Sequence, residues 1–128
     1  MVLDTSVILA TLLEEPEAAQ FVHLIGEDRV RLCSAVTFVE ASIVLQNRKG
    51  ERGKQKLDQF LRRARVQIMA VDVKQAEAAR DAYEKFGKGK HPAGLNLGDC
   101  FSYSLSKIAN EPLLFKGNDF AQTDVVTR

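Results

Sequence analysis

The sequence predicts an α/β fold with a mostly parallel sheet, in a single domain spanning residues 1–128. Three observations predict it. Short apolar runs, several rich in β-branched residues, alternate with longer segments of helical periodicity, which is the pattern of strand–helix–strand crossovers. The length suits one core, because a chain of ~100–150 residues buries roughly two thirds of its unfolded surface. No repeat and no linker-like stretch divides the chain, and 45% hydrophobic residues with three prolines exclude a disordered, collagen-like or low-complexity polymer.

Taken in order, residues 1–3 are an apolar strand ending on Asp4, and helical periodicity starts at Val7. Pro16 suits the first turn of a helix running to Glu27, with Ala18, Phe21, Val22 and Ile25 on one face. Residues 31–34 form a second short strand. Thr37-Phe-Val-Glu40 has the form of a capping box ahead of a helix over 41–46. Gly50 and Gly53 act as breaks, after which Leu57, Phe60 and Leu61 mark a helix over 54–64. Residues 66–71 form a third strand and 74–86 an amphipathic helix stopped at Gly87. Residues 87–98 hold four of the eight glycines and one proline, so they form a loop. A helix over 99–109 is broken by Pro112, residues 113–115 form a fourth strand, and 116–119 turn the chain toward a last edge strand at 125–126.

The formal net charge of +1 conceals segregation. Residues 1–28 carry six acids and no Lys or Arg, whereas residues 29–67 carry ten bases and three acids. The densest basic stretch holds Arg48, Lys49, Arg52, Lys54, Lys56, Arg62, Arg63 and Arg65, and it is either a solvated helix face or a phosphate-contacting flank. No run reaches the ~18–20 apolar residues needed to cross a bilayer, and the N-terminus lacks a signal peptide's basic region. A cytoplasmic location is therefore expected, with Cys33 and Cys100 as reduced thiols.

Ligands of open parallel sheets bind outside the carboxyl ends of the strands. Asp4 ends strand one, Glu40 lies in the first turn after strand two, Asp99 opens the helix before strand four, and Asp119 follows strand four. If strands one and four are neighbours, the four acids converge. Each also has an ordinary structural role: helix cap for Asp4, capping box for Glu40, dipole partner for Asp99, turn residue for Asp119. Together they would repel unless a positive charge sits among them, and a hard divalent cation is the natural one. No His/Cys cluster competes, since His23 lies on a helix and His91 in a loop, neither with a partner at zinc spacing.

MVLDTS at the start, Glu40 within TFVEAS, GLNLGDCFSYSLSK around Asp99 and LLFKGNDF around Asp119 resemble the PIN-domain ribonucleases, and within them the VapC toxins of toxin–antitoxin pairs. The resemblance spans nearly the whole chain. It implies an α/β/α sandwich around a sheet of about five strands. It also implies a pocket of acids binding Mg²⁺ or Mn²⁺ and metal-assisted hydrolysis of RNA phosphodiesters without a covalent enzyme intermediate. By motif position Asp4, Glu40, Asp99 and Asp119 match the acids that are both catalytic and metal-binding. Ser6 matches a supporting hydroxyl that is otherwise a helix cap. Lys116, three residues from Asp119, is the first choice among cations to hold the RNA backbone, with Lys88, Lys90 and the 48–65 stretch behind it. A VapB-like antitoxin, an RNA substrate and a homodimer are the partners the resemblance implies, with no membrane. A non-catalytic RNA- or protein-binding module on the same fold stays open. A phosphoacceptor receiver domain would use Asp72 after strand three but needs paired acids after strand one, where Asp4 is followed by Thr5 and Ser6. A dehalogenase-type phosphatase needs an acid where Ser6 stands, and GKGKHPAG lacks the ending of a nucleotide P-loop.

Overall fold

Runs of two or three mostly apolar residues build a small sheet that is covered everywhere except at one edge. The computed structural model describes all of residues 1–128. Its strands are β1 (Val2–Leu3), β2 (Leu32–Ser34), β3 (Gln67–Met69) and β4 (Leu113–Leu114). All pair in parallel, in the order β3-β2-β1-β4, with Val2 opposite both Leu32 and Leu113. β1, β2 and β4 are buried throughout, as parallel strands covered on both faces must be, and the edge strand β3 exposes Gln67 and Ile68. The sheet has four strands rather than five. Residues 125–126 do not form the expected edge strand. The chain's end meets β4 through one bridge, Leu113 to Thr127, in which the Leu113 N–H donates to the Val126 carbonyl and the Arg128 N–H to the Leu113 carbonyl, so pairing stops at a single residue of β4.

Six helices cover the sheet: α1 (Thr5–Leu12), α2 (Ala18–Glu27), α3 (Ala35–Lys49), α4 (Glu51–Arg63), α5 (Val73–Phe86) and α6 (Leu97–Ala109). Alternation along the strands splits the core in two. Leu3 and Cys33 point into a cluster with Ile8, Phe21, Leu45 and Leu57 from α1 to α4. Val2 and Leu32 point to the other side, against Ala79, Leu95, Leu105 and Phe120. The result is the expected α/β/α sandwich. No helix is long and apolar enough to cross a membrane.

Three local expectations are corrected. Ser34, not Thr37, caps α3 by accepting a hydrogen bond from the Val36 backbone, so the helix starts at Ala35 and Glu40 lies in its second turn with no capping duty. Gly53 is no break but a buried residue inside α4. A Cβ there would lie 2.2 Å from the Leu45 carbonyl oxygen, so glycine is what lets α3 and α4 pack this closely. The turn between those helices is made by Gly50 alone, at φ +60°. Val22, placed on the core face of α2 by periodicity, is exposed, and Phe21 and Ile25 carry the burial.

Candidate active site

The strand order makes a crevice. Connections from β1 through β2 to β3 step one way across the sheet, and β4 lies on the other flank of β1. The carboxyl ends of β1 and β4 therefore bracket the switch point at which such sheets take ligands. Asp4 emerges there directly after β1. It caps α1, its Oδ2 accepting from the Ser6 backbone N–H (3.1 Å) and the Ser6 hydroxyl (2.7 Å). Oδ1 accepts from the Ser102 hydroxyl of α6 at 2.6 Å, and Asp4 is only 4% exposed. Behind Ser102 lies the buried Thr37 hydroxyl, 3.4 Å away. A carboxylate so nearly buried and so fully supplied with donors is held in one orientation.

Glu40 reaches the same place from α3. Its Oε1 accepts from the Thr5 hydroxyl at 2.7 Å, and its carboxylate lies over Gly98, where a Cβ would come within 2.3 Å of Oε1. Asp99 completes a true capping box with Asn96. The Asp99 N–H donates to Asn96 Oδ1 (2.9 Å), and the Asn96 N–H donates to Asp99 Oδ2 (3.0 Å). Asp119 is exposed and opens the Phe120–Gln122 turn without capping it, while the buried Phe120 ring, edge-on to Phe115, anchors that turn.

Burial is the main reason the Asp99 carboxyl is pushed up to about 7. The Asn96 N–H opposes the shift, and the charges of Asp4, Asp119 and Glu40 add to it in that order. Acids from four separate segments thus feel one another, and none of them forms an ion pair. As the side chains stand, no group of three or more acids, His or Cys is arranged to hold an ion. The donor chemistry still fits a hard divalent cation. The set is all oxygen, Asp99 carries an unrelieved electrostatic cost, and Gly98 leaves room for the Glu40 carboxylate that any side chain would fill.

Lys116 is placed otherwise than as an RNA clamp. Its ammonium pairs with Glu15 and with Glu17 (3.2 Å), and those contacts hold its charge more firmly than usual. Its backbone N–H matters more to the site: it donates to Ser6 Oγ at 2.9 Å, joining the chain after β4 to the Asp4 cap. Asp72, the receiver-type acid, caps α5 after the far edge strand and lies two strands from Asp4. His23 pairs with Glu27, and His91 Nδ1 accepts from the Ala93 N–H, so neither histidine joins the acids. The sequence gives no sign that Thr5, Thr37 and Ser102 support the acids, beyond marking the two threonines as helix-start residues. Ser102 lies 98 positions beyond Asp4, which leaves no local pattern to find.

A family model described as PIN domain matches residues 1–126. The chain belongs to the PIN-domain family. This PIN domain is 50% identical over 127 residues to Ribonuclease VapC30 of Mycobacterium tuberculosis, covering 99% of this chain and 97% of that protein. It is equally identical, over 125 residues, to Ribonuclease VapC of Mycolicibacterium smegmatis, with 98% and 97% covered. Among solved structures the fold matches that of M. tuberculosis VapC20, described as a sarcin–ricin-loop-cleaving toxin. The TM-score there is 0.80 at 15% identity, with 99% and 97% covered. A toxin–antitoxin complex from Klebsiella pneumoniae matches at TM-score 0.75 and 19% identity, with 99% and 95% covered. At those identities the structures speak for the PIN fold, and the VapC relatives place the sequence within the family.

Proposed function

We propose that this PIN domain is a divalent-metal-dependent endoribonuclease, the toxin of a VapBC-type pair, in which Asp4, Glu40, Asp99 and Asp119 hold Mg²⁺ or Mn²⁺. The observation that carries the reading is Asp99. Its carboxyl, raised to about 7 by burial and further by the charges of Asp4, Asp119 and Glu40, shows that acids from distant segments lie close enough to interact, and none of them has a paired cation, which supports a divalent ion as the missing counter-charge. A relative at 50% identity that bears the name ribonuclease supports the reaction class. When bound, such an ion supplies an activated water and neutralises charge developing at phosphorus.

The chain's own residues do the rest. Ser6 and Ser102 fix both oxygens of Asp4, so that its carboxylate needs no reorganisation on binding. Thr5 does the same for one oxygen of Glu40. Asp99, whose carboxyl is raised to about 7, would have to give up its proton to serve as a ligand, which would make ion affinity rise with pH. The eight bases between Arg48 and Arg65 form no ion pair, and the backbone phosphates of RNA are their proposed partner. RNA preference then comes from shape and single-strand contacts rather than from a 2′-hydroxyl nucleophile. An antitoxin would neutralise the enzyme by placing a basic side chain or a helix against the acids, masking their charge. The solved toxin–antitoxin assembly from Klebsiella and the VapBC2 structure from Rickettsia felis concern proteins of the same fold. A homodimer belongs to the same proposal: Val39 and Ile43, four residues apart on α3 and half exposed, are apolar side chains for a second copy to cover. The location proposed is the cytoplasm.

Incubation of structured RNA with wild type and Asp4→Asn in Mg²⁺, Mn²⁺ or EDTA tests this. Cleavage is expected from the wild type with either ion only. Equal cleavage by the variant, or cleavage in EDTA, would sink the metal-nuclease mechanism.

A further inference from the structure

The first turn of α6 has two sides. One carries Asp99 toward the acids. The other, through Asn96, Leu97 and Cys100, lines a cavity of about 710 Å³ shared with α5 and the loop after it. Asn96 links the two sides: it lines the cavity, and its backbone N–H donates to Asp99 Oδ2 at 3.0 Å. The cavity is lined differently from the acidic side. Arg80, Lys88 and Lys90 face it with Glu84 the one acid, and none of the three bases forms an ion pair. Its apolar wall is Tyr83, Phe101 and Leu97, the last 73% exposed.

The Tyr83 ring is fixed in place. Its hydroxyl donates to the Lys88 carbonyl (3.3 Å), and Gly87 lies so close beneath it that a Cβ there would meet Cδ2 at 2.8 Å. The Lys90 ammonium lies 5.4 Å from the ring centroid. A rigid, partly exposed ring beside unpaired cations matches the combination by which proteins hold single-stranded nucleic acid, stacking for the base and positive charge for the phosphate.

We propose that this cavity is a nucleotide subsite, which takes an unpaired RNA nucleotide flanking the cleaved bond. Its base stacks against Tyr83 and the apolar wall, and its phosphate meets Lys88, Lys90 and Arg80. The proposal rests on the ribonuclease reading for its choice of ligand, and it names which stretch of RNA the enzyme grips. The excess of unpaired cations favours RNA over a second protein copy as the occupant. The subsite positions substrate and takes no part in bond breaking.

The test measures binding of a fluorescent single-stranded RNA oligonucleotide in EDTA, where cleavage is suppressed, to wild type, Tyr83→Ala, Tyr83→Phe and Lys88→Gln/Lys90→Gln. Removal of one stacked base weakens binding on the order of 10-fold or more, so Tyr83→Ala is expected to lose that much and Tyr83→Phe little. The exposed lysine pair keeps the experiment decisive should Tyr83→Ala unfold the loop. Lys88→Gln/Lys90→Gln is expected to weaken binding and flatten its salt dependence. In Mn²⁺, Tyr83→Ala and Lys88→Gln/Lys90→Gln are expected to raise KM on RNA and Tyr83→Phe to leave it near wild type, whereas turnover of a chromogenic phosphodiester, which has no flanking nucleotide to place in the cavity, should not follow that order. Wild-type affinity in the lysine variant overturns the proposal. So does a shift from dimer to monomer with unchanged RNA affinity, which assigns the face to a second copy. A wild type that binds RNA through these residues yet cleaves none in Mn²⁺ upholds the subsite and defeats the nuclease reading instead.

Discussion

The acidic edge and the basic α3–α4 hairpin handle charge in opposite ways. At the edge, Asp4 is buried and both its oxygens have donors, Glu40 is tied to Thr5, and Asp99 is bound into a capping box. On the hairpin, Arg48, Lys49, Arg52, Lys54, Arg62, Arg63 and Arg65 are exposed, and none is engaged in an ion pair. Fixed charges suit recognition of one atom at one place, and mobile charges suit a polymer whose phosphates arrive in many registers. Lys116 shows why sequence distance misleads here. It is the cation nearest Asp119 in the chain, yet it is neutralised by Glu15 and Glu17, while the remote basic stretch stays free.

If the edge works by fixed geometry, the sharpest way to break it is to fill its cradle. Gly98→Ala places a Cβ on the Glu40 carboxylate, and RNA cleavage is expected to fall ~10–100-fold, as for removal of a supporting residue at a metal site. Melting of the same variant should hold near wild type, because the group displaced is the end of a flexible side chain. Wild-type activity in Gly98→Ala would remove Glu40 from the site.

Ser102→Ala strips the buried Oδ1 of Asp4 of its donor. A buried acceptor left unpaired costs ~1–3 kcal/mol, to be read from denaturant unfolding, and a smaller drop in cleavage should accompany it. Stability unchanged would mean that the Ser102 hydroxyl does not support the carboxylate.

The raised Asp99 carboxyl gives a pH signature with a definite sign. Its ordinary value is 3.8, and in the fold it is about 7. Between those values the native state holds a proton that the unfolded chain has released. Stability contributed by this group is therefore highest below about pH 4 and declines as pH rises to about 7. Unfolding in EDTA should show that decline for the wild type and a flatter profile for Asp99→Asn. Divalent ions should restore stability above pH 7 by mass action. A profile rising from pH 4 to 7 in both proteins would place the strain elsewhere.

The smallest effect belongs to the hairpin. Arg62→Gln/Arg63→Gln/Arg65→Gln is expected to weaken RNA binding modestly and to lower the salt slope by ~0.7 for each single-strand phosphate that the variant no longer neutralises. An unchanged slope would return the stretch to the role of a solvated helix face.

Much of this is legible in the chain. Alternating periodicities predict the parallel sheet, and acids at strand ends predict where a site would lie, because strand ends and helix starts carry local signals. Asp99 reads as a helix-start acid for the same reason, and the structure adds its reciprocal bond with Asn96. The Thr37–Glu40 pair has the same spacing but is overruled by Ser34, whose backbone sits where β2 turns into α3. Gly53 reads as a break because its real reason, the close approach to the Leu45 backbone, lies in another helix. The hydroxyls that fix the acids, above all Ser102 and Thr37, are invisible in the sequence because their partners are set by tertiary packing.

On the proposed reading, Asp4, Glu40, Asp99 and Asp119 exist to hold a hard divalent cation. Titration of metal-free protein with Mn²⁺, followed by the loss of the free-ion electron paramagnetic resonance signal, tests it without reference to RNA. Wild type should bind Mn²⁺ saturably, more tightly at pH 8 than at pH 6, and Asp4→Asn and Asp99→Asn should each abolish or severely weaken that binding while remaining folded by circular dichroism. Undiminished Mn²⁺ binding in both variants would contradict the account.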